Sequence, residues 1–266
     1  MIGAKQPECH HSALVRRLFL IRTNLPCLSH SPEVEAVPVP GGLVNASDRP
    51  VPPARSDRGK RIIDATLAGI LLVLLAPIVA AVAVLVAVGL GRPVLFRQCR
   101  SGLHGVPFEV VKFRTMRPPD PSRGLVGDGD RLTPLGRWLR ATSLDELPTL
   151  WNVLRGDMSL VGPRPLLPEY LERYSPWQAR RHEVRPGVTG LAQVRGRNSL
   201  SWEEKLDYDV EYVDTRCLRL DLSILVATVR TVLRREGITA AGAATAPEFL
   251  GTPHRPAPPQ RDRTTV

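Results

Sequence analysis

Aromatic residues make up only 5% of this 266-residue chain, yet 43% of it is apolar and 23% charged, which excludes a wholly disordered protein and leaves room for about one to two domains. No P-loop and no GxGxxG is present, so the standard nucleotide-binding loops are excluded. No internal repeat is present either, which removes solenoids and propellers. The four cysteines, Cys9, Cys27, Cys99 and Cys217, form no CxxC pair and no disulfide-like spacing, so reduced thiols are expected. Cys9, His10 and His11 are metal-ligand types, but neighbours in a Pro-rich tail make a poor cage. Arg16, Arg17 and Leu18 superficially resemble a twin-arginine export signal, yet Arg22 and Pro26 follow where a long apolar stretch is needed, so no signal peptide is expected.

Proline and charge are unevenly spread. Eight of the 26 prolines fall in residues 1–57 and five in 247–259, which makes both ends poor candidates for a core. The net charge is +10, and residues 58–117 hold nine basic against two acidic side chains. That same stretch holds the most apolar run of the chain. An anionic membrane surface is therefore a better partner than nucleic acid, and a phosphorylated substrate suits it equally well.

The run from Ala65 to Leu90 is 26 residues without a charge, long enough for a transmembrane helix. Pro77 divides it into 12 residues before and 13 after, each reaching only about 18 to 20 Å against a hydrocarbon core of about 30 Å. Arg55, Arg58, Lys60 and Arg61 precede the run and Arg92, Arg97 and Arg100 follow it, so both ends are drawn to the cytoplasmic side. A bent helix that enters one leaflet and returns satisfies charge and kink together. A kinked spanning helix and a buried soluble helix are the alternatives.

Beyond the run, Pro93–Arg97 and Phe108–Phe113 read as short strands joined by a turn at Gly102–Gly105. A Gly-rich loop follows over 118–131. Leu132, Leu135, Trp138 and Leu139 recur at helical spacing with arginines nearby, which suits a helix at an interface or one facing a core. Ser201 and Glu204 form a capping-box pattern opening a helix with Leu206, Val210 and Val213 on its apolar face. A last helix over 220–236 aligns Leu222, Leu225, Val226, Val229, Val232 and Leu233 in one stripe, with Arg230, Arg234 and Arg235 toward its end and Gly237 as its cap.

Four places carry candidate chemistry. Asp145 and Glu146 follow Thr142 and Ser143; if Ser143 caps a helix, the S-x-x-E pattern accounts for Glu146 but leaves Asp145 unexplained. An ionised Asp145 near a helix start can act as a nucleophile or metal ligand, while capping and solvation is the plainer reading. Arg164, between Pro163 and Pro165, Arg185 before Pro186, and Lys112 with Arg114 on one putative strand face can receive phosphate, or else meet solvent and lipid headgroups. Asp128 and Asp130 form a DxD that can bridge a metal to a nucleotide-sugar diphosphate, in a setting that equally suits a mobile loop.

Together, Lys60, Arg61 and Asp64, then Ala76 and Pro77, FRQ at 96–98, KFRTM at 112–116, TSLDELPTLWNVLRGDMSLVGPRP at 142–165, RPGVTGLAQVRGRNSLSWEEK at 185–205 and PEFLG at 247–251 resemble the bacterial sugar transferase family. These are the monotopic phosphoglycosyl transferases, and the likeness runs from about Arg58 to Gly251. Where the family breaks its membrane helix at a Ser-Pro pair, this chain has Ala76 before Pro77.

The resemblance implies an α/β, mostly helical membrane-associated domain: a disordered tail over 1–57, a re-entrant membrane hairpin over 58–91 with its break at Ala76 and Pro77, a catalytic domain over 92–251 with amphipathic interfacial helices, and a tail over 252–266. It implies transfer of a sugar 1-phosphate from a UDP-sugar to polyprenyl (undecaprenyl) phosphate at the cytoplasmic face of the bacterial inner membrane, with release of UMP. Asp145 would be the nucleophile and Glu146 a metal ligand or proton carrier, with Mg2+ at the pair and Lys112, Arg114, Arg164 and Arg185 around the phosphates. A DxD glycosyl transferase releasing UDP and a non-catalytic membrane scaffold are the rival readings. The sugar, the lipid length and assembly into a homo-oligomer are left open.

Overall fold

The computed structural model describes residues 55–196, 200–234 and 248–251. Residues 1–54 of the expected N-terminal tail, the C-terminal tail over 252–266, the Cys9, His10 and His11 cluster, the Arg16–Arg17 pair, Arg235 and the Gly237 cap lie outside the described residues; residues 55–57, expected in the tail, open the first helix.

Helix α1 (Arg55–Leu74) and helix α2 (Ala76–Leu90) meet at Leu75 with a bend of 64°. The break falls just ahead of Pro77, because the proline ring clashes with the preceding turn yet fits the first turn of a new helix. Backbone bonds persist on either side: Leu75 N–H reaches the Leu71 carbonyl at 2.9 Å and Val79 N–H the Leu75 carbonyl at 2.8 Å. No single helix among the described residues is long and apolar enough to cross a membrane. Each half of the pair buries one narrow stripe, Asp64 and Ala68 on α1 and Val82 and Val86 on α2, at i, i+4 spacing. Leu72 on α1 and Val79, Ala83 and Leu90 on α2 pack half-buried beside these stripes, while other apolar side chains stand outward, Val73 at 75% and Val88 at 84% exposure.

Strands β1 (Leu95–Ser101) and β2 (Pro107–Phe113) pair antiparallel, with Leu95 opposite Phe113 and Ser101 opposite Pro107. The expected hairpin is present, its first strand beginning after Pro93. Within the segment expected as a loop lies the short α3 (Asp128–Arg131). Next comes α4 (Pro134–Ala141), whose N-cap Thr133 hydroxyl accepts from Gly136 N–H at 3.0 Å. Gly136 has no substitute here, since a β-carbon would overlap the Thr115 carbonyl. A 3-10 turn at Leu144–Glu146 leads into α5 (Thr149–Arg155). The last carbonyls of α5 accept from Arg61, with Nη1 to Val153 O at 2.5 Å and Nη2 to Leu154 O at 2.7 Å, cations at the negative end of a helix.

Strand β3 (Ser159–Val161), α6 (Pro176–Ala179), β4 (Gly187–Thr189), α7 (Leu191–Arg195), α8 (Trp202–Thr215) and α9 (Leu218–Arg234) complete the fold, which is mixed α/β and mostly helical. Strands β3 and β4 run parallel, with Ser159 opposite Gly187 and Val161 opposite Thr189. The capping box opening α8 forms: Ser201 Oγ accepts from Glu204 N–H at 3.2 Å and Ser201 N–H donates to Glu204 Oε2 at 2.8 Å. Leu206, Val210 and Val213 are buried beneath it.

The main core gathers Ala68 of α1 with Phe108, Val110, Val153, Leu160, Tyr212 and Ile224. A polar latch reinforces this seating of α1. Lys60 Nζ meets Asp221 Oδ2 at 2.8 Å, Tyr212 OH donates to Asp221 Oδ1 at 2.8 Å, and Ser159 Oγ donates to Asp64 Oδ2 at 2.6 Å. A second cluster joins Val82 and Val86 of α2 to Phe113 and Leu139, with Leu135, Leu144 and Leu147 packed against it. Of the apolar stripe on α9, Leu222, Val226 and Val229 face outward at 63%, 53% and 59% exposure, while Leu225 packs against the main core beside the buried Ile224. Cys217 is a free, exposed thiol.

Candidate active site

The turn at Leu144–Glu146 is pinned from both ends, since Leu144 and Leu147 pack into the cluster built on α2. Ser143, just before it, adopts a left-handed backbone with φ 56°, a conformation costing of order 1 to 3 kcal/mol for a residue with a β-carbon. Its side chain caps nothing, so the expected S-x-x-E box does not form. Asp145 is 8% exposed, and its carboxylate makes no hydrogen bond among the described residues.

Glu146 is committed elsewhere. Its Oε1 accepts from Lys112 Nζ at 2.5 Å and from Arg164 Nη2 at 3.1 Å. Helix α5 brings Lys112 into reach by bonding along the outer edge of β2. Asn152 Oδ1 accepts from Val111 N–H at 3.1 Å, Asn152 Nδ2 donates to Glu109 O at 2.6 Å, and Thr149 Oγ1 donates to Val111 O at 3.1 Å. Arg164 comes from the loop after β3, which crosses β4 closely: Gly162 N–H reaches Thr189 O and Gly187 N–H reaches Pro163 O, each at 2.9 Å.

The two carboxylates are pushed apart. Burial, and then the charge on Glu146, push Asp145 up to about 6 against the pull of Lys112, Arg140 and Arg164. Burial also raises Glu146, but Lys112 and then Arg164 outweigh it and hold that carboxyl down at about 2. Lys112 is itself lowered by burial, against the attraction of Glu146. The site thus offers one carboxylate ionised at neutral pH and doubly paired, beside one without a hydrogen-bond partner among the described residues and of raised proton affinity, a separation of roles typical of acid, base and nucleophile assignments.

Among the described residues no group of three or more His, Cys, Asp or Glu side chains could hold a metal. Asp145 and the Oε2 of Glu146, which has no partner among the described residues, are two carboxylate donors. That set fits Mg2+, which binds through one or two carboxylates and fills its other positions with water and substrate phosphate.

Of the residues expected at the site, the structure joins Asp145, Glu146, Lys112 and Arg164. Arg114 is directed elsewhere: its Nη2 donates to the carbonyls of Leu90 and Gly91 and its Nη1 to Arg92 O at 3.4 Å, at the end of α2. Arg185 Nε donates to Gly156 O at 3.0 Å, beyond the end of α5. Asp128 pairs with Arg131 at 3.3 Å and Asp130 Oδ2 accepts from Gly127 N–H at 3.2 Å, both within their own short helix. Ala76 and Pro77 lie at the bend. Sequence reasoning missed Arg140, which lies close enough to Asp145 to draw its pKa down, and whose Nε donates to Thr115 Oγ1 at 3.1 Å. It stands at the end of α4, five residues before Asp145, and no motif singled it out. Asn152 was missed as well, though its burial at 1% inside an amphipathic helix marks it as a structural bond-former.

A family model described as bacterial sugar transferase matches residues 55–235. The chain is 52% identical over 194 residues to a Bacillus subtilis protein called the uncharacterized sugar transferase EpsL, which covers 73% of this chain and 96% of its own. It is 43% identical over 196 residues to the UDP-glucose:undecaprenyl-phosphate glucose-1-phosphate transferase of Caulobacter vibrioides, covering 69% of this chain and 73% of that one. Over 165 residues it is 41% identical to the undecaprenyl-phosphate galactose phosphotransferase of Salmonella typhimurium, spanning 55% of this chain but only 35% of that longer protein. By the extent of the family match, and with the family's long motifs converging on one ionised cluster, the chain belongs to the bacterial sugar transferase family.

Proposed function

We propose that the protein transfers a sugar 1-phosphate from a UDP-sugar to polyprenyl phosphate through a covalent phosphosugar on Asp145. The observation that carries this is the contrast within the pair: among the described residues Asp145 has no hydrogen-bond partner, while Glu146 beside it is held by Lys112 and Arg164. An Asp145 carboxylate oxygen attacks the phosphorus that bears the sugar, the bond from that phosphorus to the UMP oxygen breaks, and UMP leaves. An oxygen of polyprenyl phosphate then attacks the same phosphorus and frees the Asp145 carboxylate, giving the lipid diphosphate sugar. Lys112 and Arg164 hold fixed positive charge where phosphoryl oxygens gather negative charge. Mg2+, when bound at Asp145 and Glu146, supplies further neutralisation of the diphosphate. Relatives named for undecaprenyl-phosphate and for UDP-glucose support this choice of substrates.

The bent α1–α2 pair is the membrane element of this reading. Entering and leaving the cytoplasmic leaflet fits its 64° bend, the basic residues at both ends and its outward apolar side chains. Because Leu144 and Leu147 pack on the cluster of α2, the reacting carboxylate is held at a fixed depth relative to that element. A lipid-borne phosphate confined to the headgroup layer then meets Asp145 without leaving it. The exposed Trp138 on α4, Trp151 on α5 and Leu222, Val226 and Val229 on α9 suit the same interface.

The nucleotide released is the test. UMP in stoichiometry with lipid-linked product supports the proposal. UDP release, as a DxD glycosyl transferase using Asp128 and Asp130 would give, overturns it.

A further inference from the structure

Behind the loop carrying Arg164 lies an ion pair sealed from solvent. Arg181, in the turn Arg180–Glu183, and Asp209 on α8 are 2% and 4% exposed. Arg181 donates to Asp209 Oδ2 through Nε at 3.0 Å and Nη2 at 2.7 Å, and through Nη1 to the Tyr174 hydroxyl at 3.2 Å. Its Nη2 donates once more, to the Arg164 carbonyl, at 2.6 Å. Taking two charges out of water is costly, and apolar side chains of similar volume often serve stability as well. Stability alone therefore gives no reason for a charged pair at this place.

The Arg164 loop supplies one. Pro163 and Pro165 have no N–H to give, so the loop is fastened largely through its carbonyls. Pro163 O accepts from Gly187 N–H and Leu166 O from Ser101 N–H, each at 2.9 Å, and the carbonyl of Arg164 itself falls to Arg181. The Arg164 side chain is 49% exposed, so beyond its ion pair with Glu146 little packing fixes its direction, and the backbone anchor sets where that reach begins.

We propose that Arg181, oriented by Asp209, is a positioning residue for the transfer reaction: by gripping the Arg164 carbonyl it aims the Arg164 guanidinium at Glu146. This rests on the reading of Asp145 and Glu146 given above.

The test is a double-mutant cycle in the full-length protein, measuring UMP release from a UDP-sugar, KM for that sugar nucleotide, and the thermal midpoint. The paired replacement Arg181→Met with Asp209→Leu removes both charges together and so avoids stranding one; Arg181→Lys keeps the pairing but cannot serve Asp209 and the Arg164 carbonyl with one planar fork. Either change should lower kcat about 10- to 100-fold, the scale expected for a misplaced group, and leave KM within about threefold. In an Arg164→Ala background the same changes should cost less than about twofold more, because the group they aim is gone. Unchanged kcat in the folded variants, or losses that multiply fully in the Arg164→Ala background, would overturn the proposal. Wild-type UMP release is the reference, so failure of the site reading shows there before any variant is compared.

Discussion

Lys112 and Glu146, 34 residues apart in the chain, meet in a 2.5 Å ion pair, and among the described residues the carboxylate next door at Asp145 is left without a hydrogen-bonded cation of its own. The same proximity that lets Lys112 and Arg164 hold Glu146 ionised makes Glu146 a repelling neighbour for Asp145. Charge at Asp145 is thereby kept at a cost, ready to be relieved by bond formation to phosphorus or by a cation.

That cost has a sign. Between the ordinary carboxyl range near 4 and the raised value of about 6, the folded protein keeps a proton on Asp145 that the unfolded chain has lost, so this group's contribution to stability falls as pH rises through that window. Asp145→Asn removes the penalty at neutral pH. The variant should be more stable by about 1 to 3 kcal/mol, raising the thermal midpoint by about 2 to 4 °C per kcal/mol, while product formation disappears. Calorimetry beside an activity assay checks both; a lower midpoint would contradict the electrostatic account.

Glu146 carries the opposite linkage. Its depressed carboxyl contributes stability above about pH 4.5 that is lost as pH falls toward about 2. Lys112→Met takes away the larger of its two cations and should cost about 2 kcal/mol at neutral pH, discounted because Glu146 keeps 21% side-chain exposure. Denaturant unfolding at pH 7 and near pH 3 reads this: the variant should lose less stability on acidification than the wild type. Its rate of UMP release should fall roughly 100-fold, on the scale of removing one fixed transition-state charge.

Two identical patterns, S-x-x-E at Ser143 and at Ser201, separate what was legible in the chain from what was not. At Ser201 the box forms, because among the described residues no ion pair holds Glu204, whose pKa its bonds to Ser201 lower. At Ser143 the cap, worth about 1 kcal/mol, loses to two ion pairs reaching Glu146 from β2 and from the loop after β3. Ser201→Ala should therefore cost about 1 kcal/mol by thermal or denaturant unfolding, and Ser143→Ala less than about 0.5 kcal/mol.

Local signals marked the broken apolar run, the hairpin, the capped α8 and the motif containing Asp145. They could not mark the parallel pairing of β3 with β4, three residues each, or the Arg181–Asp209 pair, because both are defined only by contacts between distant segments. Lys112 and Arg114 show the same limit. Two residues apart, they read as one phosphate-binding face, yet Lys112 turns to Glu146 and Arg114 to the carbonyls ending α2.

The bent pair makes a topological prediction. With the four native cysteines replaced by serine, single cysteines introduced as Arg58→Cys and Arg92→Cys should both react with a membrane-impermeant thiol reagent from the cytoplasmic side only. Labelling from opposite sides would make the pair a kinked span.

The central claim is a covalent bond between Asp145 and a sugar-bearing phosphorus. Intact-protein mass spectrometry of rapid-quench samples, taken with UDP-sugar present and polyprenyl phosphate withheld, tests it most directly. A mass increase equal to one phosphosugar, mapped to Asp145 and discharged when polyprenyl phosphate is added, is the predicted result. Turnover with no adduct at any time point, or an adduct that persists in Asp145→Asn, would contradict it.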